Sequence, residues 1–209
     1  MNKCEAQKIL FECAELYRNN LIDSNLLFIC VDKYKNIDTL EVKFLTTGFM
    51  HLTGVKSPKE RVSAGAFFDK CINRRLALEE FEMAADGTTE MKLKILPMLF
   101  RKNLSASMIG DFAARTPVLV TEKLAGGVKG CMGFVFDEKT GYYAPNTVLN
   151  IDIRTYVTNQ LRVVATFRKK KREVDYSEIV YASKKIDLRE LGLPEKYTYL
   201  SKLFDDGNT

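Results

Sequence analysis

The sequence predicts an α+β fold, in which a helical amino-terminal half with a small hairpin packs on an antiparallel sheet of four to five strands. Two periodicities support this prediction. Apolar residues recur at helical spacing over residues 3–19 and again after Ser63. From Pro117 onward the spacing of the apolar residues shortens from about 3.6 towards two residues, as in strands. Because runs of helices followed by runs of strands are typical of α+β domains, the order of the elements does not favour a doubly wound α/β fold.

The amino-terminal half begins with an amphipathic helix over residues 3–19, followed by the apolar run 26–31 and the alternating segment 39–46, which we interpret as an antiparallel hairpin. The apolar run 44–55 then predicts a buried strand that brings His51 to the edge of a turn at Gly54. Three further helices are expected. They begin at Ser57 or Ser63, at Leu76, and at Thr88 or Thr89, and the last of them contains Pro97, which should kink or divide it.

The carboxy-terminal half contains five strand candidates, at residues 118–121, 130–136, 142–144, 162–168 and 176–183. Between them, the triplet Pro145-Asn146-Thr147 predicts a turn or a helix start. We expect one α+β domain over residues 1–186, with its sheet at 117–185, and a carboxy-terminal tail at 187–209.

The composition argues against several classes of protein. The five cysteines are widely spaced and form no CxxC pair, and with one histidine a classical zinc site is not expected. No run of about 18 apolar residues is present, and Glu5 and Lys8 interrupt the first ten residues. We therefore expect a cytoplasmic protein with no metal, no cofactor and no membrane association.

The net charge of +5 is mild, but its distribution is uneven. Five consecutive cations, Arg168, Lys169, Lys170, Lys171 and Arg172, lie between two predicted strands. They could be a solvated hairpin tip or a loop that binds phosphates. Residues 125–133 are rich in glycine without matching a P-loop, so they predict a turn between strands, and the flanking Lys123 and Lys129 are candidate phosphate contacts.

Alternation on the predicted strand 162–168 separates two faces. One face carries Val163, Ala165 and Phe167, and the other carries Arg162, Val164, Thr166 and Arg168. The second face could bind a phosphodiester or simply be a wet sheet surface. Tyr181 and Ser183 share a face of the last strand and could point to the same side.

His51 is the only imidazole, so a serine- or cysteine-based catalytic triad would require it. It is either a packed, hydrogen-bonded residue or an acid–base catalyst. No carboxylate cluster suggests a two-metal nuclease.

Six stretches taken together resemble a known family: FMHLTGV (49–55), FFDKCIN (67–73), DGTTEMKLKILPML (86–99), MIGDF (108–112), TEKLAGGVKGCMGFV (121–135) and YYAPNTVLNIDIR (142–154). They resemble the phage and prophage proteins grouped as barnase/EndoU/colicin/RelE-like nucleases, specifically the fourth of these phage families. The resemblance covers roughly residues 5–185.

The resemblance implies helices packed against a four-stranded antiparallel sheet, with metal-independent RNA cleavage on the exposed sheet face. Such cleavage needs a base, cations that neutralise the phosphorane and an acid for the leaving oxygen. The implied catalytic residues are His51, Lys123, Arg154, Thr166, Tyr181 and Ser183. The residues expected to bind RNA combine the cations that the resemblance implies with Asn146 and the basic run identified from the sequence pattern: Lys129, Asn146, Arg162, Arg168, Lys169, Lys170, Lys171 and Arg172.

Two functions therefore follow as hypotheses. The first is a phage-encoded, toxin-like endoribonuclease that cleaves tRNA or mRNA by transesterification. The alternative is a non-catalytic protein on the same scaffold that binds RNA or a host or phage protein. The catalytic hypothesis requires an accessible His51 and expects it to share one cleft with Lys123, Lys129 and the arginines of strand 162–168.

Overall fold

A computed structural model describes residues 1–58, 62–113 and 120–204 of the chain. Its α-helices are α1 (Lys3–Asn20), α2 (Gly48–Thr53), α3 (Ala64–Ile72) and α4 (Thr88–Leu99). Its strands are β1 (Ser24–Val31), β2 (Ile37–Lys43), β3 (Met108–Phe112), β4 (Lys123–Gly127), β5 (Gly130–Asp137), β6 (Tyr142–Leu149), β7 (Val157–Lys170) and β8 (Glu178–Ala182). Short 3₁₀ segments occupy Leu78–Glu80, Ile153–Thr155, Leu188–Glu190 and Glu195–Phe204.

Capping side chains explain where helices α1 and α3 begin. Asn2 and Glu5 form a capping box at the start of α1, and the Ser63 side chain accepts from the first turn of α3. Pro97 was expected to kink or divide its helix, but α4 continues unbroken to Leu99. Because the helix ends two residues after Pro97, the missing N–H affects only the last turn.

The eight strands form one mixed sheet in the order β1-β2-β6-β5-β4-β3-β7-β8. All pairings are antiparallel except β2 with β6. Strand β1 also pairs with β7. This pairing closes strands β1 to β7 into a ring, and β8 extends from β7 outside it. The long β7 makes this possible, because its first half pairs with β3 and its second half with β1 and β8.

This sheet corrects the prediction of four to five antiparallel strands. The predicted hairpin forms as β1 and β2, but both strands belong to the main sheet. Every residue of β1 is buried, which is typical of a strand covered on both faces. Local periodicity identified the hairpin and could not show that β1 pairs with a strand more than 130 residues away.

Two cores cover the faces of β1. Leu26, Phe28 and Cys30 join the main core, which the helices share with the inner side of the sheet. Leu27, Ile29 and Val31 face a second core on the outer side, together with Phe167, Tyr197 and Leu200. The carboxy-terminal segment that includes Glu195–Phe204 therefore packs against the sheet.

Several local expectations were wrong. Residues 44–55 do not form a strand: Gly48–Thr53 is helix α2. Residues 76–85 contain a single 3₁₀ turn rather than a helix. Pro145, Asn146 and Thr147 lie inside β6, where a register shift opposite Gly133 and Phe134 accommodates the proline.

Some expectations fall partly outside the described residues, namely the predicted capping box at 57–60 and the start of the predicted strand 118–121. Val120 and Thr121 themselves are not in a strand.

Among the described helices, none has the length and apolar character needed to cross a membrane.

Candidate active site and nucleic-acid interface

His51 lies on α2, a six-residue helix that ends at Gly54 in the left-handed conformation (φ 72°). Phe49 and Leu52 are fully buried and anchor this helix in the main core. The helix thereby turns His51 outward, and its imidazole is exposed. An imidazole held on a packed helix and open to solvent can contact a ligand.

The imidazole is tethered to the sheet. His51 Nε2 lies 2.5 Å from the backbone oxygen of Asn146 on β6. Because a carbonyl oxygen only accepts hydrogen bonds, Nε2 must carry the proton in this contact, and Nδ1 of the neutral ring keeps its lone pair. The contact therefore selects the tautomer in which Nδ1 can accept a proton.

Asn146 is held in place by its own side chain. Its Oδ1 accepts from Thr121 Oγ1 at 3.1 Å, and its Nδ2 donates to the backbone oxygen of Val120. Sequence analysis placed Asn146 in RNA binding. In the structure its side chain fixes the segment at Val120 and Thr121, while its backbone oxygen orients His51.

His51 lines a cavity of about 560 Å³. The same cavity is lined by Lys56 and by the hydroxyl-bearing residues Thr47, Ser57 and Ser63. Lys56 is exposed, so its ammonium is accessible to a ligand. Sequence analysis missed Lys56, although it follows His51 by five residues across the Gly54 turn, a local signal that could have been used.

Lys123 lies in a different environment. Its ammonium is 2.5 Å from Asp111, whose other oxygen accepts from Asn159. Burial opposes the charge of Lys123, but the ion pair with Asp111 outweighs it and raises the lysine pKa. Lys123 is absent from the residues that line the His51 cavity. The structure therefore does not bring it together with His51 in that cavity.

Three further candidates are engaged elsewhere. Arg154 makes a bidentate contact with Asp152, and this contact lowers the pKa of that carboxyl. Thr166 is fully buried, and its Oγ1 has no hydrogen-bond partner among the described residues. Arg168 makes a bidentate contact with Glu178 and also donates to the Asn20 carbonyl at 3.4 Å.

The middle of the predicted polar face of β7 is therefore not exposed, although Arg162 at its start is. Val164 and Thr166 are both fully buried, because helices cover one side of the sheet and the carboxy-terminal segment covers the other. A register shift opposite Ile29 and Cys30 also interrupts the simple alternation. Tyr181 and Ser183 instead line a separate cavity of about 630 Å³ beside β8.

The basic run at the end of β7 forms the most positive concave surface of the three cavities described. A groove of about 930 Å³ separates it from the end of α1, and we call this the basic groove. Its cations are Arg18, Arg168, Lys170, Lys171 and Arg172. Arg168 is neutralised by Glu178, and Lys171 lies 3.7 Å from Asp23. Arg18 is a further residue that sequence analysis missed.

The remaining predicted RNA contacts lie outside the three cavities described above. Lys129 is exposed in the turn between β4 and β5, and Arg162 is exposed on β7. Lys169 lies 4.7 Å from the ring centroid of Tyr176 and 5.7 Å from that of Tyr142. Within the described ranges, no group of three or more metal-binding side chains is placed to hold a metal ion.

The comparisons with known proteins identify one family. The family model described as phage-Barnase-EndoU-ColicinE5/D-RelE like nuclease 4 matches residues 9–185 of this chain. No curated protein and no solved structure matches it. Because the family model spans most of the chain, the protein belongs to the phage-Barnase-EndoU-ColicinE5/D-RelE like nuclease 4 family.

Proposed function

We propose that the protein is a phage-encoded, toxin-like endoribonuclease that cleaves host tRNA or mRNA by transesterification without a metal ion, in the bacterial cytoplasm. Membership of a nuclease-like family supports a nucleic-acid substrate. The observation that carries the proposal is the exposed imidazole of His51, held by Asn146 in the tautomer with Nδ1 unprotonated, beside Lys56 in one cavity.

His51 is the general base in this proposal. Its Nδ1 takes the proton of a ribose 2′-hydroxyl, and the 2′-oxygen attacks the adjacent phosphorus. The bond from phosphorus to the 5′-oxygen breaks, which leaves a 2′,3′-cyclic phosphate and a 5′-hydroxyl. Lys56 neutralises the charge of the phosphorane and donates a proton to the departing 5′-oxygen.

The basic groove is the proposed anchor for the phosphates outside the cleaved bond. Among the described residues, no ion pair joins the side chains of Arg18, Lys170 or Arg172 to a carboxylate, although Glu173 also lines the groove and accepts from the Lys170 backbone N–H at 2.9 Å. Cations of this kind attract a polyanion independently of its sequence. Under this proposal the groove provides affinity and the His51 cavity provides the chemistry.

The alternative is a non-catalytic RNA- or protein-binding role, and two observations favour it. The His51 contact satisfies a backbone oxygen of β6, so His51 also has a purely structural explanation. Lys123, Arg154 and Arg168 are each held by a carboxylate, which leaves fewer cations for catalysis than the sequence suggested.

The test uses total RNA incubated in excess EDTA with the wild type and with His51→Gln. Glutamine retains an N–H that can reach the Asn146 oxygen but cannot transfer a proton at neutral pH. We expect wild-type fragments with 2′,3′-cyclic phosphate ends, and a loss of about 10²–10⁴-fold in the variant. Lys56→Gln should also reduce the rate, whereas Lys139→Gln, in the exposed turn before β6, is the matched control.

Two outcomes would contradict the proposal. Full activity of His51→Gln would remove the assigned base, and loss of wild-type cleavage in EDTA would remove the metal-independent mechanism. RNA that binds but stays intact with the wild type would favour the non-catalytic alternative.

A further inference from the structure

An asparagine on β1 lies between two lysines on the outer side of the sheet. Asn25 is directly opposite Lys43 of β2 and directly opposite Lys169 of β7. Residues paired in this way project to the same face, with Cβ atoms about 4.5–5.5 Å apart. Leu27, two residues further along β1, belongs to the second core on the outer side. The three residues, which we call the Asn25 row, therefore face away from the helices.

The Asn25 side chain is a buried polar group without a partner. It is only 9% exposed, and no hydrogen bond joins its amide to another described residue. Among the described residues, the Thr166 hydroxyl is the one unpartnered side-chain group that is fully enclosed, so the Asn25 amide keeps contact with solvent. Because a buried amide without a hydrogen bond costs free energy, its position favours a ligand that accepts from the amide N–H.

Both lysines of the row are held by aromatic rings. Lys43 Nζ and Lys169 Nζ each lie 5.7 Å from the ring centroid of Tyr142, and Lys169 Nζ is also 4.7 Å from that of Tyr176. Lys169 donates to the backbone oxygen of Val174 at 3.1 Å, which uses one of its three N–H donors. Among the described residues, no ion pair joins either lysine to a carboxylate. Two ammonium groups beside one ring repel each other, and a bound anion would relieve that repulsion.

Glu41 lies beside the row but does not neutralise it. It precedes Lys43 by two residues on the same face of β2. Its carboxylate already accepts from three other side chains, which are Tyr176, Tyr197 and Lys196. Because Lys196 balances the charge of Glu41, the two lysines of the row keep their positive charges.

We infer that Lys43, Asn25 and Lys169 form a binding site for a phosphate monoester, separate from the His51 cavity and from the basic groove. A phosphate monoester carries a charge of about −1.5 to −2 at neutral pH, which matches two ammonium groups. The phosphodiesters within an RNA chain carry a single charge each and match less well. The Asn25 amide donates to a phosphate oxygen between the two lysines. Both a free mononucleotide and the 5′-phosphorylated end of an RNA strand carry such a group.

The test is a titration of the ¹⁵N-labelled protein with adenosine 5′-monophosphate at neutral pH, followed by NMR. We expect the side-chain amide signals of Asn25 to shift and to saturate. In Lys43→Gln/Lys169→Gln the affinity should fall on the order of tenfold or more, because charged hydrogen bonds to the phosphate are lost. Adenosine 3′,5′-cyclic monophosphate has the same base but is a diester, so it should bind clearly more weakly.

A matched control removes two charges elsewhere in the same hairpin. Lys33 and Lys35 are exposed in the loop between β1 and β2, and Lys33→Gln/Lys35→Gln should leave the affinity unchanged. Asn25→Asp should remain folded by circular dichroism, because its carboxylate would pair with both lysines, and it should no longer bind the nucleotide. It also identifies the Asn25 side-chain signals, which disappear from its spectrum.

Two 2′-O-methyl oligonucleotides of one sequence, with a 5′-phosphate or a 5′-hydroxyl, distinguish the sources of the ligand. Asn25 shifts that require the 5′-phosphate would assign the site to RNA ends, and shifts with the mononucleotide alone would assign it to free nucleotides. Unshifted Asn25 signals with every monoester, or equal binding of the cyclic diester, would overturn the site. None of these measurements requires RNA cleavage, so they test the site independently of the proposed nuclease.

Discussion

Thr166 shows how burial limits the role of a residue. It lies opposite Phe28 of β1 and Tyr181 of β8, and it is fully buried. Its Oγ1 has no hydrogen-bond partner among the described residues. A buried hydroxyl without a partner costs about 1–3 kcal/mol, so this side chain destabilises the fold. Its position also keeps it from contacting RNA in this structure.

We therefore expect Thr166→Val to increase the free energy of unfolding by about 1 kcal/mol and to leave RNA binding and cleavage unchanged. Urea denaturation measures the first effect and the total-RNA assay the second. Thr166→Ser is the control, because it keeps the hydroxyl and loses a methyl group, and it should be destabilising. A folded Thr166→Val variant that no longer cleaves RNA would restore the predicted catalytic role.

At the same scale, residue types were easier to predict than their partners. The sequence singled out His51 and the basic run, and the structure places both at concave surfaces. It could not show that Lys123 and Arg168 are held by carboxylates from neighbouring strands. Asp111 reaches Lys123 across the β3–β4 pair, and Glu178 reaches Arg168 across the β7–β8 pair. Strand register decides such contacts, and it depends on pairing.

At the scale of elements, the glycine-rich hairpin of β4 and β5 explains residues that first resembled a phosphate loop. A side chain at Gly126 would place its Cβ 2.4 Å from the Gly130 oxygen and 2.5 Å from Cys131 Cα. At Gly127 the nearest atom, Ser107 Oγ, is 3.4 Å away. Gly126 is thus required for close approach of the two strands.

This difference predicts unequal effects of the same substitution. In Gly126→Ala the added Cβ clashes with backbone atoms of the neighbouring strand. The substitution should therefore lower the free energy of unfolding by about 2–3 kcal/mol or more. Gly127→Ala meets only a side-chain hydroxyl and should cost less than about 1 kcal/mol. Thermal or urea unfolding of the two variants checks this, and equal destabilisation would contradict the packing explanation.

Helix α2 shows where element prediction fails. Residues 44–55 are apolar enough for a buried strand, yet Gly48–Thr53 is helical. Short apolar runs do not distinguish a buried strand from a buried helical turn, because both bury most of their side chains. The choice depends on packing of Phe49 and Leu52 against the main core.

At the scale of the whole molecule, the carboxy-terminal segment is attached to the sheet through Glu41 of β2. Glu41 accepts from Tyr176 at 2.7 Å, from Lys196 at 3.0 Å and from Tyr197. Burial opposes ionisation of Glu41, but these hydrogen bonds outweigh it and lower its pKa. The ionised carboxylate thus stabilises the docked segment.

Because the folded pKa of Glu41 is lowered, its contribution is present above the unfolded pKa of about 4.3 and is lost as the pH falls through the folded value. At pH 7, Glu41→Gln should lower the free energy of unfolding by about 1–3 kcal/mol and speed amide hydrogen exchange over 195–204. Below pH 4 the difference from the wild type should shrink. A difference that is independent of pH would contradict the ionic attachment.

The sequence by itself determined the α+β class, the long helices α1 and α4, most strand positions, the lone imidazole and the basic run. These features depend on periodicity and composition, which are local. Only the tertiary structure decided that β1 pairs with β7, that Asn146 orients His51, and which cations are neutralised. Each of these contacts joins residues about 10 to 140 positions apart. Such contacts form only where complementary packing offsets the entropy that is lost when the chain between the two residues is closed into a loop.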